Sequence, residues 1–192
     1  MTLALLITAV GGAWAQTQWE SGECTVTLNN GTLTISGNGA MDEYADLSDR
    51  PWHSNSGDIT SVVVESGVTS VGMCAFNIFS NLTSVTLPEG LTAIGDMAFF
   101  GCSSLQSVTI PSTVTAIGAM TFGNCSSLTS ITLPEGLTAI GNMAFGNCSS
   151  LTSITIPSTV TSIGESAFMS CSAISDVNLY ANPGNLTWGE AS

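Results

Sequence analysis

The chain has 192 residues, 44% of them apolar and only 8% charged, with no lysine, one cation at Arg50 and a formal net charge of −13. A single cation cannot displace the counterions of a nucleic acid, which excludes ordinary nucleic-acid binding, and the strong negative charge argues against attraction to an anionic bilayer. The apolar content also excludes a disordered chain and leaves serine and threonine to make most of the polar surface.

The first element is an address. Leu3 to Val10 is a short apolar run, and Ala13-Trp14-Ala15 precedes Gln16. Such a run ending in a small-x-small site reads as a secretory leader over residues 1–15, cleaved after Ala15. No basic residue precedes the run, and a buried N-terminal strand is the other reading. Crossing a bilayer takes about 20 apolar residues, so no transmembrane segment is expected here or further on.

Residues 16–58 form the second element, an N-terminal cap. Two alternating runs flank Asn30-Gly31, a strong local signal for a β-hairpin. The cap would cover the open end of a repeat array that starts at Ile59.

From Ile59 to the end at Ser192 the chain repeats itself every 23 residues, with starts at 59, 82, 105, 128 and 151 and a partial copy at 174. Leu82 to Ser104 reads LTSVTLPEGLTAIGDMAFFGCSS, and Leu128 to Ser150 reads LTSITLPEGLTAIGNMAFGNCSS. A period of this length predicts a repeat solenoid of the leucine-rich-repeat type: mostly β, with a parallel sheet and short helical or 3₁₀ turns. Within one copy, Leu82, Val85 and Leu87 point inward, Pro88 ends the strand, and Leu91 and Ile94 return to the core. Ala98 and Phe99 fall in the short helical or 3₁₀ turn, and Cys102 closes the coil. Phe76, Phe99, Phe122, Phe145 and Phe168 stack as an aromatic ladder. Pro-Glu-Gly-Leu at 88–91 and 134–137 alternates with Pro-Ser-Thr-Val at 111–114 and 157–160, a 46-residue rhythm that no mechanism in the sequence requires. Asn182-Pro183-Gly184 breaks the repeat, and this end carries no comparable cap.

The pattern carried by Leu151, Ile154, Ile156, Pro157, Val160, Ile163, Gly164, Ala167, Phe168 and Cys171 closely resembles the BspA-like class of bacterial leucine-rich repeats. The resemblance covers about residues 59–180 and extends to Thr32–Gly37, Gly39-Ala40-Met41 and Pro51-Trp52 in the cap. It implies a secreted or surface protein of a bacterium, with adhesion to host matrix proteins or other surface proteins or glycans. It implies no catalytic residue. The stretch from Leu179 to Trp188 is similar to family sequence that runs on into another module, which implies a segment of a longer protein.

The residues themselves offer little chemistry. Cys102, Cys125, Cys148 and Cys171 recur in phase and are expected as buried free thiols. Cys24 and Cys74 lie outside that phase, and a bridge between them stays open in an exported protein. His53, the only histidine, sits in a polar loop without a Gly-x-Ser-x-Gly elbow. Asp42, Glu43, Asp46, Asp49 and Asp58 lack the spacing of a calcium loop. No metal or cofactor is expected.

The candidate site is instead a surface. Thr86, Thr109, Thr132 and Thr155 occupy outward strand positions, and Ser84, Ser107, Ser130 and Ser153 share their face two residues earlier. Val63 and Asn178 flank the threonine row. Threonine also suits a solvated strand face for structural reasons alone. The expectation is a non-enzymatic binding or adhesion module that uses this face. The rival is a structural spacer, because near-identical copies offer no unique site.

Overall fold

The computed structural model describes residues 5–7 and 16–189. Residues 1–4 and 8–15, most of the expected leader, lie outside the described residues. Leu5–Ile7 is a short strand antiparallel to Gln16–Ser21.

The cap is an antiparallel meander of Gln16–Ser21, Cys24–Asn29 and Thr32–Gly37. Asn30 and Gly31 have φ of 47° and 77°, the left-handed pair that a two-residue hairpin turn demands. The third strand then pairs in parallel with Ser61–Val64, setting Leu33 opposite Val62 and Ile35 opposite Val64. The cap therefore joins the front of the solenoid through this strand, while Tyr44, Arg50 and Trp52 lie across the end of the first coil.

Each later coil has three sides. The front carries Ser84–Thr86, Ser107–Thr109, Ser130–Thr132, Ser153–Ile156 and Asp176–Leu179, paired in parallel as three ladders, the first with Ser61–Val64, the second with the third and the fourth with the fifth, each in the register the 23-residue period predicts. A second side carries two-residue rungs, Ala93–Ile94, Ala116–Ile117, Ala139–Ile140, Ser162–Ile163 and Thr187–Trp188. Inward isoleucines were expected there, but not a parallel ladder.

The third side corrects the expected helical or 3₁₀ turn. Met97, Met120, Met143 and Ser166 sit at φ of 56°, 53°, 51° and 53°, in the left-handed region, so no helix runs on; Ala98, Phe100 and Cys102 close single turns onto the carbonyls of Gly95, Met97 and Phe99. Every second peptide group then points along the solenoid axis. Met97, Phe99 and Gly101 donate to the carbonyls of Ala119, Thr121 and Gly123 in the next coil at 2.9, 3.0 and 2.8 Å. Met120, Phe122 and Asn124 donate to Asn142, Ala144 and Gly146 in the same way. This back ladder satisfies between coils what a helix would satisfy within itself. Among the described residues the helices are two 3₁₀ turns, Leu47–Asp49 and His53–Asn55, both in the cap.

The aromatic ladder stands as expected. Phe76, Phe99, Phe122 and Phe145 are fully buried, and ring centroids from Phe76 to Phe168 step by 5.3, 5.5, 5.7 and 5.4 Å. Trp52 stacks on Phe76 at 6.4 Å, and Tyr44 and Trp19 meet Trp52 edge-on. Each aromatic pair contributes about 0.5–1.5 kcal/mol beyond the area it buries.

At the far end, Asn182-Pro183-Gly184 lengthens the repeat rather than breaking it. Asn182 accepts from the Gly184 and Asn185 amides, and the chain returns to pair Thr187 with Ser162. Val177, Tyr180 and Trp188 are left more than half exposed at this end.

Candidate functional site: the front face

All eight predicted positions, Ser84, Thr86, Ser107, Thr109, Ser130, Thr132, Ser153 and Thr155, are exposed and lie in two columns on the front. Val63 pairs with Thr86 and Asn178 with Thr155, so the threonine column has the flanks expected. Neighbouring strands lie about 4.8 Å apart, which sets the step along each column.

Hydroxyls on this molecule fall into two kinds. Thr83, Thr129, Thr152 and Ser175 each donate to the carbonyl of the equivalent residue one coil earlier, at 3.0, 3.1, 3.4 and 3.4 Å. Thr92, Thr138 and Thr161 do the same on the second side. These residues tie coils together. Among the predicted eight, Ser84 donates to Ser61 Oγ at 3.0 Å. The other seven hydroxyls have no partner among the described residues. They are free to bond to something else. A groove of about 280 Å³ crosses the columns, lined by Thr86, Leu87 and Glu89 on one coil and Ser107, Thr109 and Pro111 on the next.

The other candidates resolve as structure. Cys102, Cys125, Cys148 and Cys171 are free thiols, the first three buried. They donate to the carbonyls of Phe76, Phe99, Phe122 and Phe145 at 3.3, 3.2, 3.1 and 3.0 Å. Burial pushes the Cys125 thiol up to about 12 and the Cys102 thiol well above its ordinary range. Cys24 and Cys74 are also free: Cys24 Sγ lies 3.6 Å from Gly39 O, and Cys74 Sγ lies 3.9 Å from Met97 Sδ.

In the cap, the exposed His53 faces Arg50 Nη2 with its Nδ1 at 3.4 Å. Asp46 caps the first 3₁₀ turn, accepting from Ser48 N and Oγ at 2.8 Å each, and Glu43 accepts from the Met73 amide. Among the described residues no three His, Cys, Asp or Glu side chains are grouped as a metal site.

Arg50 is the residue whose role the sequence did not disclose. It is 2% exposed, and its guanidinium donates to Leu47, Cys74 and Asn77 carbonyls at 3.1, 3.2 and 2.8 Å and lies 5.2 Å from the Phe79 ring centre. Its signal was available: it is the only Lys or Arg in the chain, and it adjoins Pro51-Trp52.

The model of the BspA type leucine rich repeat region matches six copies over residues 51–180. The chain belongs to this family. A leucine rich cell surface protein from Faecalibacterium prausnitzii is 29% identical, with a TM-score of 0.55 over 86% of this chain and 55% of that one. The Treponema pallidum leucine rich repeat protein is 24% identical, with a TM-score of 0.66 over 88% of this chain and 84% of that one. A leucine-rich repeat protein from Bacteroides ovatus, 22% identical, has a TM-score of 0.55 over 88% of this chain and 54% of that one. The last two likenesses concern the fold alone. The chain thus spans about half the length of the Faecalibacterium and Bacteroides proteins. No curated protein matches it.

Proposed function

We propose that this BspA-type protein is an exported, non-enzymatic binding module of a bacterial surface, and that it engages a protein or glycan partner through the front face. The observation that carries this reading is the division of hydroxyls. Rows beside the site are consumed in tying coils together, whereas seven of the eight site hydroxyls are exposed and without a partner among the described residues. Export rests on the apolar leader and on likeness to a cell surface protein.

Among the described residues the only Lys or Arg is buried, so the surface offers no cationic Lys or Arg side chain for an ion pair with an acidic partner. Hydroxyl hydrogen bonds and apolar contact remain, and these depend weakly on salt. The experiment is an array of matrix proteins and glycans probed with the intact chain and with Thr109→Arg/Thr132→Arg, at low and high salt. The reading requires a partner that the double variant loses and that salt leaves in place. Binding that collapses in salt yet survives both arginines would move the site to the acidic cap around Asp42 to Asp49. No retained partner on the array leaves the spacer role, which the near-identity of the coils favours.

A further inference from the structure

The stack of coils is not uniform. Between the coils at 105–127 and 128–150, the front ladder is complete, with Ser107 opposite Ser130 and Thr109 opposite Thr132. At its ends Thr129 donates to Gln106 O at 2.9 Å and Ile110 to Thr132 O at 3.1 Å. The second side is equally closed, with Thr138 donating to Thr115 O at 2.8 Å and Gly141 to Ile117 O at 2.8 Å.

One coil earlier, both ladders stop. Ser84–Thr86 does not pair with Ser107–Thr109, and Ala93–Ile94 does not pair with Ala116–Ile117. The amides of Leu87, Gln106, Thr115 and Gly118, whose equivalents close the other interface, have no partner in the described chain. Gln106 also replaces the threonine whose hydroxyl ties the neighbouring coils.

The back ladder crosses this seam intact, through Met97, Phe99 and Gly101 at 2.9, 3.0 and 2.8 Å, and Ser127 donates to Ser103 O at 3.1 Å where that side ends. The turns bordering the two open sides meet only through side chains. Ser112 donates from N and Oγ to Glu89 Oε2, Thr113 Oγ1 bridges Gly90 N and Leu91 O, and Ala119 N donates to Asp96 Oδ1 at 2.7 Å. The groove of about 280 Å³ lies along the same seam. A Pro-Glu-Gly coil followed by a Pro-Ser-Thr coil recurs at 128–150 and 151–173. There the front pairing again lapses, but the second side stays paired through Ala139 and Ser162. The 46-residue rhythm of the sequence therefore marks where front rungs separate.

We propose that the solenoid hinges at the seam between residues 104 and 105, with the back ladder as the axis, so that the groove across the Ser/Thr columns opens and closes. The interface between the coils at 105–127 and 128–150 is bonded on all three sides and the next one on two, whereas here two sides have lost their backbone bonds and the third keeps all of its own. Rotation about the third side separates the first two without exposing the phenylalanine ladder, which lies beside the axis and stays stacked at 5.5 Å from Phe99 to Phe122. The hinge needs no ligand and is a property of the chain by itself.

The test is residue-resolved amide hydrogen exchange on the intact chain without any ligand, with the 105–127 to 128–150 interface as internal control. Leu87, Gln106, Thr115 and Gly118 should exchange roughly tenfold or more faster than their equivalents Ile110, Thr129, Thr138 and Gly141, with Met97, Phe99 and Gly101 as protected as Met120, Phe122 and Asn124. Equal protection at both interfaces overturns the proposal, because the seam is then closed. Fast exchange that includes Met97, Phe99 and Gly101 also overturns it, because the halves then part or unfold instead of hinging. Either failure leaves the binding reading of the front face untouched.

Discussion

The two ends of the solenoid differ in a way that reveals its electrical polarity. The peptide groups of the back ladder all point the same way, carbonyls toward the N-terminal end and amides toward the C-terminal end. Aligned peptide dipoles add along such a column as they do along a helix. At the N-terminal end the exposed carbonyls are met: Tyr44 N donates to Met73 O at 3.1 Å, Trp52 Nε1 to Ala75 O at 3.1 Å, and Arg50 to Asn77 O at 2.8 Å. The only Lys or Arg of the chain thus stands at the negative pole. At the other end the amides of Ser166, Phe168 and Ser170 have no partner in the described chain. Phe168 and Cys171 are only partly buried there, unlike their equivalents inside the stack. A parallel stack of coils cannot satisfy the carbonyls of its own first coil, and the cap at that end supplies the donors around Arg50.

The sharpest break of this comparison is at the aromatic ladder. Phe122→Ala should cost about 3–5 kcal/mol as a core truncation, and Phe168→Ala at the open end about 1–2 kcal/mol because less of that ring is buried. Chemical denaturation measures both, and equal losses would mean that the ends are not different.

Arg50→Met should cost about 2–4 kcal/mol, because it strips the donor from buried carbonyls while keeping the volume. Arg50→Lys should recover only part, since a single ammonium cannot reach carbonyls on both sides as the fork does. A denaturation midpoint for Arg50→Met close to that of the unaltered protein would show that the pole needs no cation.

Alkaline pH probes the interior of the stack. In the unfolded chain the ladder thiols ionise near 9.0, whereas buried Cys125 ionises only at about 12 and Cys102 is raised as well. Above pH 9 the unfolded state therefore holds fewer protons than the folded one, and stability should fall as pH rises from there. Cys125→Ala should flatten that fall, and an unchanged slope would remove the thiols as its cause. Labelling with a thiol reagent in the native state should modify Cys171 before Cys102, Cys125 and Cys148, which sit deeper; simultaneous reaction would contradict the burial gradient.

The smallest effect belongs to the front face. Thr109→Ser with Thr132→Ser should move stability by no more than about 0.5 kcal/mol, since neither hydroxyl ties coils together. Thr129→Ala, which removes a coil-to-coil donor beside them, should cost about 1 kcal/mol. If the two results came out reversed, the division between tying and free hydroxyls would be wrong.

Periodicity alone determined the coil, its register, the phenylalanine and cysteine ladders and the outward Ser/Thr columns. A strict 23-residue repeat leaves one way to stack equivalent residues, and the alternation in Ser-Val-Thr assigns each to a face. The hairpin at Asn30-Gly31 was equally local, because only left-handed conformations make that turn. Other features depended on neighbours distant in sequence. The back ladder was not legible in a single copy because alternate peptide groups of that side find their partners a coil away. Arg50 took its place because carbonyls at a pole, 24 to 27 residues further on, required a donor. Thr83 and Thr86 are near neighbours of the same type, yet only the first meets a carbonyl of the preceding coil. Which hydroxyls are engaged and which are free is set by the stacking of coils, and no window of sequence contains that geometry.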